Sequence, residues 1–130
     1  NVIVLSAVLE HLQNPVELLV QCKKLLDENG VILISQASYD GLLPKLFPWG
    51  WYGWQPHEHF WHFTPKSFSK LIELNGYQLV KIERNSLHLQ WYVTGGLKNL
   101  IGRNIATFIS RIVVIVKMGD NFDCVIKVQQ

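Results

Sequence analysis

The chain has 130 residues, of which 48% are hydrophobic and 17% are charged, and its formal net charge is +2. These values exclude an intrinsically disordered protein, and the length suffices for one domain with a hydrophobic core but not for two. The basic residues are scattered, with no run that would follow a phosphate backbone, so we expect no nucleic acid as a partner.

Residues 1–34 predict a strand, a helix and a second strand. Residues 2–5 form a continuous apolar run rich in β-branched side chains, which is typical of a strand buried on both faces. Asn14, Pro15 and Glu17 together predict the start of a capped helix, and Asn29-Gly30 is expected to end it. Residues 31–34 are again apolar. A strand–helix–strand unit favours two parallel strands joined by a right-handed crossover.

The next elements are separated by a long aromatic connection over residues 35–64. Thr64-Pro65 predicts the start of a second capped helix, which Gly76 is expected to end. Residues 77–84 and 122–129 predict a third and a fourth strand. The chain therefore predicts an α/β domain over residues 1–130, with residues 85–121 as an insertion between the last two strands.

Apolar residues at 97–116 recur at helical spacing within that insertion. Arg103 and Arg111 interrupt them, so no run reaches the roughly 20 apolar residues that a membrane-spanning helix needs. We expect this segment to pack on the domain or on a partner, with peripheral contact to a membrane surface as the alternative. Cys22 and Cys124 lie among apolar neighbours and the start lacks the basic region of a signal peptide, so we expect a reduced, cytoplasmic protein.

Ionisable residues follow the first predicted strand directly. Ligands bind beyond the carboxyl ends of strands in open parallel sheets, so chemistry is expected at Glu10 and His11. The alternative is that Glu10 is only an acidic residue at a helix start, where the helix dipole favours it.

Several short motifs occur in one order along the chain. They are Leu9-Glu10-His11, Asn14-Pro15, and the segments at residues 25–30, 59–68, 71–77 and 119–122. The ordered set resembles class I S-adenosylmethionine-dependent methyltransferases of the type 11/type 23 group, and the resemblance covers most of the chain except residues 87–117.

The resemblance implies a fold and a cofactor. The four strands would be strands four, five, six and seven of a Rossmann-like methyltransferase sheet, with the last strand antiparallel. The parent protein would use S-adenosylmethionine. The family's glycine-rich turn after its first strand and the acid after its second strand do not occur here, so we expect this carboxyl-terminal portion to be inactive by itself.

The resemblance also implies roles for individual residues. The segment after the first strand would contact the cofactor through Ser6, Ala7, Val8, Glu10 and His11. His59 holds the family's histidine position and, with His11, is a candidate catalytic base, although a structural histidine that holds the loop is the alternative.

The aromatic connection would form a lid or an acceptor pocket. Its candidate substrate-binding residues are Trp51, Trp54, His57 and Trp61, and the alternative is a small satellite core. His57, His59 and His62 have a spacing that invites a metal interpretation, but no fourth ligand follows at a typical distance and the resemblance implies none. We therefore expect no metal.

Two functions remain open from the sequence. The first is methyl transfer to a small-molecule acceptor, expected to be a hydroxyl on a sugar, lipid-linked or quinone-like compound. The second is a non-catalytic interaction module, in which the exposed edge of the first strand pairs with a second copy to form a homodimer.

Overall fold

The computed structural model describes residues 1–86, 107–109, 111–113 and 115–129. Four strands form one mixed sheet in the order β1-β2-β4-β3. They are β1 (Val2–Ser6), β2 (Val31–Ala37), β3 (Tyr77–Ser86) and β4 (Asn121–Val128). β1 and β2 are parallel, whereas β4 is antiparallel to both β2 and β3. The predicted α/β class and the antiparallel last strand are confirmed.

The helix between β1 and β2, α1 (Pro15–Leu25), begins as predicted and ends earlier than predicted. The Asn14 side chain accepts a hydrogen bond from the Glu17 amide at 3.4 Å, and Pro15 occupies the first turn. The chain becomes extended at Leu26, before Asn29-Gly30. Asn1 explains the early end, because its side chain donates to the Leu25 carbonyl at 2.9 Å and accepts from the Asp27 amide at 3.1 Å.

Two further helices follow β2. The short α2 (Leu42–Leu46) lies within the aromatic connection and was not predicted. α3 (Pro65–Leu74) begins with a capping box between Thr64 and Ser67, as the Thr64-Pro65 pair predicts. Gly76 follows α3 with a φ of +75°, which glycine adopts without strain.

The main hydrophobic core lies between one face of the sheet and the helices α1 and α3. Its members are buried apolar side chains of both layers, among them Leu19, Cys22, Ile34, Phe68, Ile72, Tyr77, Phe122 and Ile126. On the other face Val2 and Val4 are 58% and 65% exposed, and Leu33 is 39% exposed. The prediction that the first strand is buried on both faces is therefore wrong, because α1 and α3 cover only one side.

An arginine fixes the loop that follows β2. Arg84 on β3 forms an ion pair with Asp40 at 2.5 Å and donates to the Ser38 hydroxyl at 2.9 Å and to the Gly119 carbonyl at 3.0 Å. Burial alone would raise the pKa of Asp40, but the hydrogen bonds from Arg84 and Ser38 and the Arg84 charge lower it below its usual value. The start of the aromatic connection is thereby joined to β3 and to the residues before β4.

The predicted insertion at residues 85–121 is only partly described. β3 continues to Ser86, which pairs with Asn121, and residues 107–109, 111–113 and 115 are helical. The remainder of the predicted helix at residues 97–116 lies outside the described residues. In the described part of the chain, no helix combines the length and apolar character needed to cross a bilayer.

Candidate functional site

A cavity of about 490 Å³ opens at the carboxyl ends of β1 and β2. The turn after β1, the end of β2, the aromatic connection and the start of β4 contribute its lining. The lining residues are Ser6, Ala7, Glu10, His11, Ser35, Ala37, Tyr52, Gln55, Glu58, His59 and Asn121. This is the edge at which open α/β sheets bind ligands.

Backbone hydrogen bonds attach the aromatic connection to the turn after β1. That turn is a 3₁₀ helix over Leu9–His11. The Glu10 carbonyl accepts from the Phe60 amide at 2.8 Å, and the Trp61 indole donates to the Leu12 carbonyl at 2.9 Å. The turn after β1 and the aromatic connection are therefore in direct contact, although Leu12 and Trp61 are 49 positions apart in the chain.

The two histidines in the lining are oriented by backbone carbonyls. His11 Nδ1 lies 3.1 Å from the Glu58 carbonyl oxygen, and His59 Nδ1 lies 2.9 Å from that of Gly53. A carbonyl oxygen only accepts, so each ring donates from Nδ1 and a neutral ring keeps its lone pair on Nε2. The rings meet edge to face, with centroids 4.6 Å apart.

Glu10 is the most buried acidic side chain of the lining, with 3% exposure. Its Oε2 has no hydrogen-bond partner among the residues that the structure describes. A buried carboxylate oxygen without a partner is costly, so such a group in a cavity is suited to a cationic ligand.

His62 lies beside this cavity rather than in its lining. Its ring is 4.7 Å from the Trp54 ring and 6.2 Å from the His59 ring. Burial and the nearby His59 charge lower the pKa of His62 below its usual value, although a backbone hydrogen bond with Gly53 partly opposes this shift. His62 is therefore held neutral within the aromatic cluster.

The predicted cofactor-binding residues separate into two groups. Ser6, Ala7, Glu10 and His11 line the cavity. Ala7 has a φ of +50° and donates its amide to the Ser35 carbonyl at 3.0 Å, which turns the chain at the end of β1. Val8 packs against the main core instead and does not line the cavity.

None of the predicted substrate-binding residues is among the described lining residues of the cavity. Trp51 is 3% exposed and packs with Leu43 and Val113 in a second small core, which Trp54 also contacts. This is the satellite core that the sequence offered as an alternative. Trp61 is held by its indole hydrogen bond, and His57 is exposed. Their role in substrate binding remains a prediction.

The cavity also contains residues that the sequence analysis missed. Ser35 and Ala37 lie at the carboxyl end of β2, so the rule that identified Glu10 applies equally to them. Asn121 begins β4 at the same rim because β4 is antiparallel to β2, and Gln55 and Glu58 come from the connection. No local sequence pattern marks Asn121, Gln55 and Glu58 as cavity residues, whereas Tyr52 belongs to the aromatic segment that was predicted to form a lid or an acceptor pocket.

Comparisons with known proteins agree with this architecture. A solved structure of a SAM-dependent methyltransferase from Archaeoglobus fulgidus superposes with a TM-score of 0.60 at 17% identity, over 97% of this chain and 58% of that protein. The chain thus spans less than two thirds of that relative, and at this identity the similarity establishes a shared fold. No curated protein sequence matches the chain. The sequence model of the family described as "Methyltransferase domain" matches residues 1–82, more than half of the chain, and the chain therefore belongs to the class I methyltransferase-domain family.

Proposed function

We propose that the protein transfers a methyl group from S-adenosylmethionine to a hydroxyl group of a small molecule. The observation that carries this proposal is the cavity at the carboxyl ends of β1 and β2, which contains a buried carboxylate and two oriented imidazoles. Family membership supports the methyl transfer, and the chemistry of the lining residues supports an acceptor that must lose a proton.

The lining residues fit part of S-adenosylmethionine. Ser6, Ala7 and Ser35 are small, so a ligand can approach the backbone at the ends of β1 and β2. The Glu10 carboxylate would offset the positive charge of a sulfonium or an ammonium group. When bound, the cofactor supplies a methyl group on a sulfonium sulfur, and the sulfur keeps the electron pair of the broken C–S bond.

A hydroxyl acceptor has to release its proton as the new C–O bond forms. His59 and His11 are the groups for this step, because their Nδ1 atoms donate to the Gly53 and Glu58 carbonyls and their Nε2 atoms can accept. Either Nε2 would take the hydroxyl proton while the oxygen attacks the methyl carbon. Holding the reactants in line supplies the remainder of the rate enhancement.

A sugar, lipid-linked or quinone-like compound is the proposed acceptor class. The aromatic connection supports this choice, since Tyr52 lines the cavity, Trp54 packs against the same small core as Tyr52, and Trp61 hydrogen-bonds to the Leu12 carbonyl. Flat aromatic side chains pack on sugar rings, quinones and acyl chains.

The test is calorimetric titration of the full-length protein with S-adenosylmethionine. Ser6→Leu should weaken binding by about tenfold or more, because the added side chain enters the cavity, a loss of about 1.4 kcal/mol. Val4→Leu is the matched control, since Val4 is also exposed on β1 but lies outside this cavity. Equal affinities for the two variants would contradict the proposed cofactor site.

The acceptor is tested with methyl-labelled S-adenosylmethionine and a small-molecule extract. Label should enter the untreated extract and should not enter an extract whose hydroxyl groups have been acetylated. Equal incorporation into both extracts would exclude a hydroxyl acceptor and leave cofactor binding unaffected.

A further inference from the structure

We propose that Glu10, His11 and His59 form a binding site for a divalent transition-metal ion, with zinc as the best fit. One potential ligand atom from each of the three residues lies within 4.8 Å of the other two. Two imidazoles and one carboxylate are a ligand set that zinc adopts in sites with an open position. The spacing of His57, His59 and His62 offered no fourth ligand, whereas in the folded chain Glu10 and His11 lie close to His59.

The hydrogen bonds of the two histidines are those of metal ligands. A histidine that binds a metal through one ring nitrogen usually donates from the other to a carbonyl or a carboxylate, which fixes the ring and its tautomer. His11 and His59 both donate from Nδ1 to backbone carbonyls, at 3.1 Å and 2.9 Å. Both rings are therefore held with Nε2 available.

Glu10 supplies a second and independent indication of a cation. Its side chain is only 3% exposed, and Oε2 lacks a hydrogen-bond partner among the described residues. Its backbone carbonyl accepts from Phe60, so the residue is fixed between the turn and the loop that carries His59. A cation shared with the histidines would satisfy the carboxylate.

The distances require only a local adjustment of side chains. Zinc bonds of about 2.0–2.1 Å in a tetrahedral arrangement place ligand atoms roughly 3.3 Å apart. The three side chains would have to converge from separations of up to 4.8 Å, which small rotations of the Glu10 carboxylate and the two rings can provide. Imidazole ligands favour zinc and similar ions over magnesium and calcium.

The ion would leave one coordination position open toward the cavity. A hydroxyl bound there would have a lower pKa, as zinc-bound water does, and would lose its proton to solvent before the oxygen attacks the methyl carbon. In that case the Nε2 atoms hold the ion and do not take the proton themselves, and the Glu10 carboxylate pairs with the ion instead of with the positive charge of the cofactor. This catalytic role rests on the proposed methyl transfer, whereas binding of the ion does not.

Zinc binding to the full-length protein tests the site without any assay of activity. Calorimetry should show one zinc ion per chain with much weaker magnesium binding, and cobalt(II) should give a visible absorption spectrum. Glu10→Gln and His59→Ala should each weaken zinc binding by more than about a hundredfold, because even the loss of a group that only hydrogen-bonds to a metal ligand costs about ten- to a hundredfold.

His57→Ala is the matched control, because His57 lies in the same loop but is exposed and outside the cluster. Its zinc affinity should equal that of the unmodified protein. Circular dichroism checks the fold of each variant. If His59→Ala unfolds, Glu10→Gln still tests the site, because glutamine keeps the shape of the glutamate side chain. Absence of zinc binding, or an equal loss in His57→Ala, would overturn the site. S-adenosylmethionine binding that persists without zinc would show that the proposed function survives this failure.

Discussion

Two residues of the core carry ionisable groups that are neutral in the folded protein. Tyr77 is 1% exposed and donates its hydroxyl to the Leu19 carbonyl at 2.7 Å, which joins β3 to α1. Burial, together with the nearby Cys22, raises the pKa of Tyr77 to about 12. Burial, with the neighbouring Asp123 charge, raises the pKa of Cys124 from 9.0 to about 12. Ionisation of either group therefore opposes folding.

The protein should lose stability as the pH rises above 9. A group whose pKa is raised in the folded protein contributes its full stabilisation at pH values below the pKa that it has in the unfolded chain. That stabilisation is lost as the pH rises through the folded-state pKa. For Cys124 this window is pH 9.0 to about 12. Its contribution is at most about 1.4 kcal/mol for each pH unit.

Urea unfolding at several pH values between 8 and 11 measures this loss. Cys124→Ala should have a shallower decline of unfolding free energy above pH 9 than the unmodified chain, although it is less stable at neutral pH. Cys22→Ala is the comparison, because burial raises the pKa of Cys22 as well but by less. An unchanged decline in Cys124→Ala would show that this thiol does not titrate with unfolding.

At the scale of the elements, the two capped helices differ in the quality of their caps. Thr64 accepts from the Ser67 amide at 3.0 Å, and the Ser67 hydroxyl accepts from the Thr64 amide at 2.9 Å. Asn14 makes a single bond of 3.4 Å to the Glu17 amide. The start of α3 should therefore depend more strongly on its cap than the start of α1.

Thr64→Ala should lower the unfolding free energy by about 1–2 kcal/mol, and Asn14→Ala by about 0.5 kcal/mol. Lys66→Ala is the control, because Lys66 is exposed on the same helix and is not part of the cap. Urea unfolding midpoints measure all three. An equal loss for Thr64→Ala and Asn14→Ala would show that the hydrogen-bond geometry does not rank the caps.

At the scale of the whole molecule, the two faces of the sheet differ in how far their side chains are buried. Ile34 faces α1 and α3 and is 2% exposed, whereas its neighbour Leu33 is 39% exposed on the opposite face. In the 130-residue chain, Ile34→Ala should cost about 2–5 kcal/mol of unfolding free energy. Leu33→Ala should cost less than Ile34→Ala, because 39% of the Leu33 surface stays exposed to water in the folded protein.

Chemical denaturation measures the unfolding free energy of the Ile34→Ala and Leu33→Ala variants. Light scattering measures the oligomeric state of the same samples. A cost for Leu33→Ala as large as that for Ile34→Ala would show that the exposed face is covered in solution. Dimers in the same sample would then identify a second copy of the chain as the cover, whereas a copy that pairs along the edge strand β1 would extend the sheet and leave Leu33 exposed.

The local elements and the position of the site were accessible from sequence. Apolar runs and caps at Asn14 and Thr64 act over a few residues, so they predict β1, α1, β2 and α3 without knowledge of their neighbours. The rule that ligands bind at carboxyl ends of strands then identified Glu10 and His11, and the resemblance added Ser6, Ala7 and His59.

Only the tertiary structure decided which side chains meet. Three features depend on contacts between residues far apart in the chain. They are the packing of Trp51 in a small core, the exposure of Val4, and the approach of His59 to Glu10 and His11. Spacing along the sequence carries no information on such distances, because a loop can close between many pairs of ends at similar entropic cost. The sequence therefore predicted the rim at which the cavity opens, and the folded chain determined that a carboxylate and two imidazoles converge there.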